Sequence, residues 1–473
     1  MTGAPADRPA GLPVLYGVDD VPRPWPKALG LGLQHVLAMF GATAAVPLLL
    51  GPAMGMSPEE IGLLVSSVMV CSGIATFLQV RFGTRLPIIQ GVSFSFLGPF
   101  FAIIAATEGG AETMQYVAGA ILGGAVVEAV VGYSTLFGRL RRFVSPIVIG
   151  PVIALIGLAL FQVGAPQAGG DWGLAAVVIA CTFLFALGLG RRWPWLSLFP
   201  ILLAVAVAYA VAVGLTLAGV YGPESPGAVR FAAVVETPWL RDPTRLVLPW
   251  GPPRFHLGFF LATLAAYLAS MIESFGDYYA VARAAGEPEP TRRQVDRGLG
   301  AEGIACFVTG LLGGFASTSY SENIGLVALT RVASRRVVYL AAALLVGLGL
   351  TAKFGAAVAT IPSPIVGGLY CILFGLIAAI GLSIVARADL TSQRNLMILG
   401  FTLFMGLSVP AYFQGVPSLG HPPVELSVPA APWLADLVET VGKTGMAVAA
   451  ILGLLLDNLI PGTDAERGLA NSE

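Results

Sequence analysis

Long apolar runs recur along the whole chain, and they restrict its fold more than any other feature. A helix that crosses a bilayer needs about 20 mostly apolar residues. Of the 473 residues, 56% are hydrophobic and 11% are charged, whereas a typical soluble domain has about 25% charged residues. The pattern predicts an all-α polytopic membrane protein. The predicted spans are 28–50, 60–80, 114–137, 143–163, 172–190, 195–220, 255–283, 336–359, 362–386, 393–413 and 433–460.

Three other apolar stretches, 91–106, 299–314 and 321–334, are too short or too polar for a simple crossing. When they are counted as partial or short crossings, the chain has fourteen transmembrane segments. Fourteen segments divide into two sets of seven, and an odd number of crossings in each set inverts one half of the chain relative to the other. The sequence therefore predicts two inverted seven-segment repeats.

Two Gly/Ser/aromatic stretches occupy corresponding places in these repeats. Residues 86–101, LPIIQGVSFSFLGPFF, and residues 314–329, GFASTSYSENIGLVAL, each lead into a short apolar helix that is the third element of its set. Interrupted segments in corresponding positions indicate a transporter's binding site near the bilayer midplane. Extended backbone is tolerated there only where it faces protein or a cavity, and helix N-termini direct partial positive charge toward a ligand.

Arginine placement predicts the orientation of the chain, because cytoplasmic loops collect Lys and Arg. Six arginine-bearing loops follow even-numbered spans, so we expect both termini in the cytoplasm and the protein in the cell (inner) membrane as a multi-pass protein. The connection 221–254 on the opposite side also holds arginines, and the rule does not explain it. The loop arginines are Arg81, Arg85, Arg139, Arg141, Arg142, Arg191, Arg192, Arg283, Arg292, Arg293, Arg297, Arg331, Arg335, Arg336, Arg387 and Arg394.

Several function classes find no support in the sequence. The net charge is −1, and no basic patch is interleaved with aromatic residues as a nucleic-acid surface would be. The four cysteines lie in apolar runs without CxxC spacing, so neither a disulfide framework nor a metal site is indicated. The chain has no nucleophile elbow and no HExxH motif. We therefore predict a transporter without a cofactor rather than a membrane enzyme.

Carboxylates inside the predicted spans carry the functional signal, because charged groups at membrane depth are costly and usually functional. Glu273 and Asp277 are four residues apart and share one helix face. Glu302 lies in GLGAEGIACF, and Glu322 with Asn323 opens the predicted half helix of segment ten. Neighbouring buried carboxyl groups are suited to bind and release a proton, as a proton-coupled carrier requires.

For some of these polar residues, structural roles compete with functional ones. Glu302 is close in sequence to the cytoplasmic arginines, so an ion pair accounts for it as well as a functional role does. Glu128 either belongs to a proton relay or bonds between helices, and the structural role is preferred. His35 in the first helix is either a packing residue or a partner that orients a neighbouring acid. Phe94 is either core or a stacking face for a flat ligand.

A ten-residue stretch from Glu322 to Arg331, ENIGLVALTR, fits the pattern Gln/Glu/Pro-Asn-x-Gly-x4-Thr-Arg/Lys/Gly. With this signature the chain closely resembles the nucleobase-ascorbate transporter family, also called nucleobase:cation symporters of the second class. QHVLAMFGAT, GVSFSFLGP, ESFGDYYAVARAAG and GLLGGFASTSYS also match, so the resemblance covers roughly residues 28 to 460.

The resemblance implies a fold of core and gate domains, with short antiparallel strands in segments three and ten, usually as a homodimer. Segments one to four and eight to eleven would form the core, and the others the gate. The expected divisions are a cytoplasmic tail at 1–27, core at 28–137, gate at 138–220, an extracellular loop at 221–254, core at 255–359, gate at 360–460 and a cytoplasmic tail at 461–473.

The resemblance also implies roles for individual residues. Glu273 and Glu322 would bind the N–H groups of a base, and Phe94 and Ser321 would contribute backbone groups. Some relatives have glycine where this chain has Ser321, which changes the backbone contact expected there. The full set of expected substrate-binding residues is Glu273, Glu322, Phe94, Ser321, Asn323 and Ser93. The residues expected to support the carboxylates and proton coupling are Asp277, Glu302 and His35.

The signature favours a nucleobase as substrate. Uracil presents N–H donors beside carbonyl acceptors, and a carboxylate accepts those protons. Glu322 resembles the uracil-type carriers, whereas purine carriers of the family often have Gln and ascorbate carriers Pro at this place. Asp277 departs from this pattern, because bacterial uracil carriers tend to have His there and the animal branch resembles ESFGDYYA.

Proton symport of uracil is therefore the first expectation, with xanthine and other purines next. Sodium-coupled ascorbate uptake is the alternative. An anion exchanger of the same fold is a further alternative, although the acids argue against it. Membrane lipid is an expected partner, and nucleic acid is not.

Overall fold

The computed structural model describes residues 14–140, 143–416, 420–429 and 431–469. Arg141 and Arg142 of the arginine-bearing loops, residues 1–13 of the predicted N-terminal tail and residues 470–473 of the C-terminal tail lie outside this set. The α-helices are α1 Trp25–Ala53, α2 Pro58–Phe82, α3 Leu97–Ala105, α4 Gly110–Tyr133, α5 Phe137–Leu140, α6 Pro146–Ala159, α7 Phe161–Ala168, α8 Trp172–Phe183, α9 Pro200–Leu217, α10 Ala232–Glu236, α11 Leu257–Ala284, α12 Arg292–Leu311, α13 Ser321–Thr330, α14 Arg335–Leu350, α15 Ala352–Ala359, α16 Ser363–Val385, α17 Gln393–Gln414, α18 Pro432–Gly442 and α19 Gly445–Leu459.

The prediction of a helical chain with many membrane-spanning helices is confirmed. In the described part of the chain, nine helices or helix pairs are long and apolar enough to cross a membrane. A tenth span results if Trp433–Gly442 and Gly445–Leu459, bent by 95° relative to each other, are counted as one. Helices α3 and α13 are too short to cross, which agrees with the interruption expected in those two segments.

Two predicted spans and one of the predicted partial crossings differ from the observed helices. The stretch 299–314 belongs to the longer helix α12, which begins at Arg292 because Thr291 and Gln294 form a capping box: the Gln294 backbone N–H donates to the Thr291 hydroxyl, and the Thr291 N–H donates to the Gln294 side chain at 2.9 Å. The stretch 433–460 is sharply bent. The stretch 336–359 is interrupted at Thr351, where the backbone is extended.

The connection 221–254, whose arginines the charge rule does not explain, contacts the chain at that interruption. The Arg241 N–H donates to the Leu350 carbonyl at 2.8 Å, and the Ala352 N–H donates to the Trp239 carbonyl at 3.0 Å. Farther along, Trp250 Nε1 donates to the Gly313 carbonyl at 3.0 Å. The connection thus satisfies backbone groups that the interrupted helices leave free, as buried polar backbone requires.

Two very short strands link the halves of the chain. β1 (Gln90–Val92) pairs antiparallel with β2 (Ser317–Ser319), with Gln90 opposite Ser319 and Val92 opposite Ser317. Each strand leads within a few residues into a short helix, α3 after β1 and α13 after β2. Because the strands are antiparallel, the two helices begin at opposite ends of the ladder and run away from it in opposite directions.

Glycine allows the closest helix contacts. A Cβ atom on Gly132 of α4 would lie 2.2 Å from the Gly300 nitrogen of α12, and one on Gly157 of α6 would lie 2.2 Å from the Phe374 carbonyl oxygen of α16. Membrane helices associate closely where residues are small. Each of these two contacts joins a helix from the first half of the chain to one from the second. Glycine therefore brings the two halves close together.

Candidate functional site

The site forms where the strand ladder meets α1, α11 and α12. The ladder continues by one bond at each end, because the Ser93 N–H donates to the Ala316 carbonyl and the Tyr320 N–H donates to the Ile89 carbonyl, both at 3.0 Å. The N-terminus of α13 lies at one end, and the 3-10 turn Phe94–Phe96 that precedes α3 lies at the other. Both N-termini therefore direct partial positive charge toward this region.

Four of the expected site residues are not fully buried by the protein. Ser321 and Glu322 are exposed, and Glu273 and Phe94 are partly exposed. Glu273 is close enough to Asp277, Glu322 and Glu302 for their charges to interact. Acidic side chains at membrane depth mark a candidate functional site, because charge facing lipid would be very costly.

The other expected residues lie behind this layer and are bonded within the protein. The Asn323 amide nitrogen lies 2.9 Å from the His35 carbonyl oxygen, to which it donates, and 3.2 Å from His35 Nδ1. This pair fastens α13 to α1. The Ser93 hydroxyl accepts from the Ser95 N–H at 3.3 Å and so starts the 3-10 turn. In this conformation the Asn323 amide nitrogen and the Ser93 hydroxyl oxygen take part in structural bonds, whereas Asn323 Oδ1 is buried without a partner among the described residues.

Glu302 is fully buried, and its partners are hydroxyl and amide groups rather than arginine. Ser270, Ser274 and Tyr278 of α11 lie on one helix face, because four residues separate each from the next. Their hydroxyl oxygens lie 3.3, 2.7 and 3.2 Å from the nearer Glu302 carboxylate oxygen. Gln90 Nε2 of β1 is 3.4 Å away. The ion pair, one of the two interpretations of Glu302, is therefore not formed among the described residues, and hydroxyl and amide groups surround the carboxylate instead.

The Glu302 contacts extend directly into the strands. The Ser319 N–H donates to the Ser274 hydroxyl at 3.2 Å, and Gln90 Nε2 donates to the Ser319 hydroxyl at 2.9 Å. Glu302, α11 and both strands are therefore one hydrogen-bonded unit. Ser274 thus joins Glu302 to the backbone that precedes α13, the helix that carries Glu322.

Tyr320 and Thr43 support the ladder from the other side. The Tyr320 hydroxyl donates to the Val92 carbonyl at 2.9 Å and accepts from the Thr43 hydroxyl of α1 at 3.1 Å. The sequence pointed to segments three and ten but not to the roles of Ser270, Ser274, Tyr278, Gln90 and Tyr320. The four-residue spacing of the three α11 residues was the available signal.

Glu128 is the remaining intramembrane acid. It is buried between α4 and its neighbours beside Cys306, and neither of its carboxylate oxygens has a hydrogen-bond partner among described nitrogens and oxygens. The Cys306 thiol of α12 is its polar neighbour across the helix contact, so among the described residues only this sulfur offers the interhelical bond expected for it. Asp457, in contrast, anchors the last helix, because its carboxylate pairs with Arg394 at 3.0 Å and Arg467 at 2.8 Å.

Interrupted helices, a strand pair joining two halves, and accessible acids at membrane depth define a helical membrane transporter. A family model described as "Permease family" and named Xan_ur_permease matches residues 26–415. The chain belongs to the nucleobase-ascorbate transporter family. This confirms the resemblance found in the signature, and because family members are transporters the chain is a transporter rather than an enzyme.

Curated relatives match almost the whole chain. Solute carrier family 23 member 2 of Mus musculus is 36% identical over 96% of this chain and 76% of its own length. Solute carrier family 23 member 1 of Rattus norvegicus is 36% identical over 98% of this chain and 84% of its own. Nucleobase-ascorbate transporter 1 of Arabidopsis thaliana is 36% identical over 94% of this chain and 88% of its own.

Solved structures of distant sequence share the fold. The transmembrane domain of the cyanobacterial bicarbonate transporter BicA has a TM-score of 0.55 at 15% identity, covering 83% of this chain and 98% of that one. SLC26A9 has a TM-score of 0.53 at 11% identity, covering 91% of this chain and 65% of that one. At these identities the likeness concerns architecture alone.

Proposed function

We propose that the chain is a secondary active transporter that imports a nucleobase by proton symport, with uracil favoured and xanthine or another purine next. The observation that carries this proposal is the accessible pair Glu273 and Glu322 beside two helix N-termini. Carboxylates accept the N–H protons of a base, and backbone N–H groups donate to its carbonyl oxygens. The partly exposed ring of Phe94 supplies a stacking face for a planar ligand.

In this proposal the accessible residues bind the substrate and the buried residues carry the proton. Glu273 and Glu322 bind the base, with backbone groups of Phe94 and Ser321, and with Asn323 and Ser93 shaping the backbone around it. Asp277, Glu302 and His35 support these residues and carry the coupling proton. A proton on Glu302 changes its bonds to Ser274 and Gln90, and through them the position of both strands. Substrate and proton binding are linked by these bonds.

Alternating access follows from fourteen segments in two inverted repeats, with a core that moves as a rigid body against a gate. The contact between α1 and helices α9 and α16 supports this motion. It encloses a small apolar cavity of about 20 Å³ lined by Phe40, Leu202 and Val366, among others. The bond from the Tyr370 hydroxyl to the Ala45 carbonyl, 2.9 Å, crosses this contact. Apart from this bond, the residues lining the cavity are apolar, and burial of apolar surface is non-directional, so the two surfaces slide at low cost.

We place the protein in the cell (inner) membrane as a homodimer with both termini in the cytoplasm. The two fold relatives are described as a bicarbonate transporter and, for the murine SLC26A9 structure, an anion transporter, so anion exchange is a second candidate. The accessible acids oppose it, because a carboxylate repels an anion at close range.

Sodium-coupled ascorbate uptake is the third candidate. The name of the Arabidopsis relative includes ascorbate, and Asp277 occupies a place where bacterial uracil carriers tend to have His. Ascorbate is an anion at neutral pH, so it would need a cation or a proton to approach Glu273 and Glu322. A neutral nucleobase carries no negative charge for these carboxylates to repel, and this difference favours the nucleobase.

Uptake into proteoliposomes tests the choice. The full-length protein is reconstituted and supplied with radiolabelled uracil, xanthine or ascorbate under a proton gradient or a sodium gradient. We expect saturable uracil uptake that needs the proton gradient and weakens as external pH rises, because substrate and proton bind together. Uptake of ascorbate alone, driven by sodium, would overturn the proposal, as would chloride or bicarbonate flux without any nucleobase binding.

Two variants assign the residues. Glu273→Ala should abolish uptake, because one of the two acceptors for the base is removed. Glu322→Gln should weaken uracil binding or shift selectivity toward another base, because one oxygen acceptor becomes a donor of nearly the same shape. Glu59→Gln, the same chemical change at an exposed residue near the start of α2, is the matched control and should leave uptake unchanged.

A further inference from the structure

A cleft distinct from the candidate substrate site lies at the arginine-bearing end of α2 and α14. Arg81 is in the last turn of α2, and Arg335 and Arg336 open α14. The wall of the cleft is completed by Asp19, in the segment that precedes α1, and by the rings of Phe77 and Tyr339. This segment is held in place, because the Arg335 N–H donates to the Val18 carbonyl at 3.0 Å and the Ala333 N–H donates to the Tyr16 carbonyl at 2.8 Å.

The cleft has an excess of positive charge. Asp19 is its single acidic side chain among the lining residues, and it pairs with Arg335. Arg81 and Arg336 are exposed and have no ion pair within the described residues. The Arg81 guanidinium lies 5.4 Å from the ring centroid of Phe82, a contact that leaves its N–H groups free to donate elsewhere. Two guanidinium groups are therefore available to an anion.

The order of residues along the helices indicates the kind of anion. Phe77 is four residues before Arg81 on α2, and Tyr339 is four residues after Arg335 on α14, so both rings lie one turn deeper than the arginines. The two ring centroids are 5.7 Å apart. Phe77 and Phe82 are 47% and 54% exposed, as expected for side chains that face acyl chains. Charge at the helix ends with aromatic rings a turn deeper matches a phospholipid, with its phosphate outward and its chains inward.

From this geometry we propose that the cleft binds the headgroup of an anionic phospholipid. Arg81 and Arg336 bind the phosphate, and the N-terminus of α14 adds favourable partial charge. Phe77 and Tyr339 contact the first part of the acyl chains. The proposal is independent of which substrate the transporter carries.

Native mass spectrometry of the full-length protein tests the site. The protein is released from nanodiscs that contain either phosphatidylglycerol or phosphatidylcholine. The test variant is Arg81→Gln/Arg336→Gln, and the control is Arg191→Gln/Arg192→Gln, which removes two exposed arginines outside the cleft. We expect the test variant to retain phosphatidylglycerol about thirtyfold more weakly, since each of the two interfacial arginines contributes about 1 kcal/mol and about 1.4 kcal/mol corresponds to a factor of ten. Phosphatidylcholine retention and the control variant should be unaffected.

Two further arms test whether positive charge is sufficient and whether a whole lipid is required. Arg81→Lys/Arg336→Lys keeps the charge and should keep most of the binding, so a loss as large as that of the glutamine variant would overturn the charge-based site. Millimolar inorganic phosphate or glycerol 3-phosphate should not displace the lipid. Displacement by either, equal loss in the Arg191/Arg192 control, or a change of oligomeric state without a change in lipid retention would each overturn the proposal. These results would indicate, respectively, a soluble phosphate site, a diffuse charge effect and a subunit contact.

Discussion

The Ser321 hydroxyl donates a 2.8 Å hydrogen bond to Asp277 Oδ1, which joins the first residue of the half helix α13 to the long helix α11. The second carboxylate oxygen of Asp277 has no described partner. Among the described residues, the Ser321 hydroxyl is therefore the side-chain donor to the Asp277 carboxylate. Relatives with glycine at this place lack that hydroxyl, so they cannot form this bond.

We expect Ser321→Ala to weaken substrate binding. Loss of the bond leaves a buried carboxylate without a donor, which costs about 1–3 kcal/mol. The apparent KM for uptake should rise by about five- to a hundredfold, and the melting temperature in detergent should fall. Ser321→Thr keeps the hydroxyl and is the control. Equal uptake by the alanine and threonine variants would show that Asp277 does not depend on this bond.

The sequence predicted some parts of this site better than others. Segments three and ten were located because their interruption is local: Gly, Ser and aromatic residues lead into short apolar runs. Glu273 and Asp277 were placed together because four-residue spacing fixes a shared helix face. The partners of Glu302 were not predicted, since Gln90 approaches it from more than 200 positions away. Ser274 was overlooked because serine in a membrane helix is usually a packing residue.

We expect Glu302→Gln to uncouple transport from the proton gradient. The amide keeps the shape of the carboxyl group and still accepts a hydrogen bond from Ser274 or Tyr278, but it no longer binds a proton. Wild-type uptake should fall as external pH rises, because proton and substrate enter together, whereas uptake by the variant should depend little on pH. The measurement is initial uptake at several external pH values in proteoliposomes. If the variant kept the wild-type pH profile, the coupling proton would reside elsewhere.

A substitution in β1 tests whether the strand pair is needed. A Cβ atom at Gly91 would lie 2.6 Å from the Tyr320 ring and 2.9 Å from Met39. Gly91→Ala must therefore displace Tyr320, whose hydroxyl supports the Val92 carbonyl, and overpacking of this kind costs about 1–3 kcal/mol. We expect lower thermal stability and a loss of substrate-induced stabilisation.

Gly98→Ala is the matched control, because a Cβ atom there has its nearest neighbour at 3.9 Å. Gly98 lies in the half helix that follows the same strand, so Gly98→Ala adds a methyl group to the same segment without a steric clash. The melting temperatures of the two variants are measured with and without uracil. Equal melting temperatures and equal ligand shifts would mean that Tyr320 can move aside without harm to the site.

The ion-pair network at the end of α19 predicts a large difference between two substitutions of an acid. Asp457 is fully buried between Arg394 and Arg467, whereas Glu112 pairs with Arg254 at 2.7 Å while partly exposed. Breaking a buried pair leaves uncompensated charge and costs about 3–5 kcal/mol. An exposed pair contributes about 0–1 kcal/mol. Asp457→Ala should therefore lower the melting temperature in detergent by several times as much as Glu112→Ala. Similar shifts would indicate that water reaches Arg394 and Arg467 once the carboxylate is gone, and that the pair is held by packing rather than by charge.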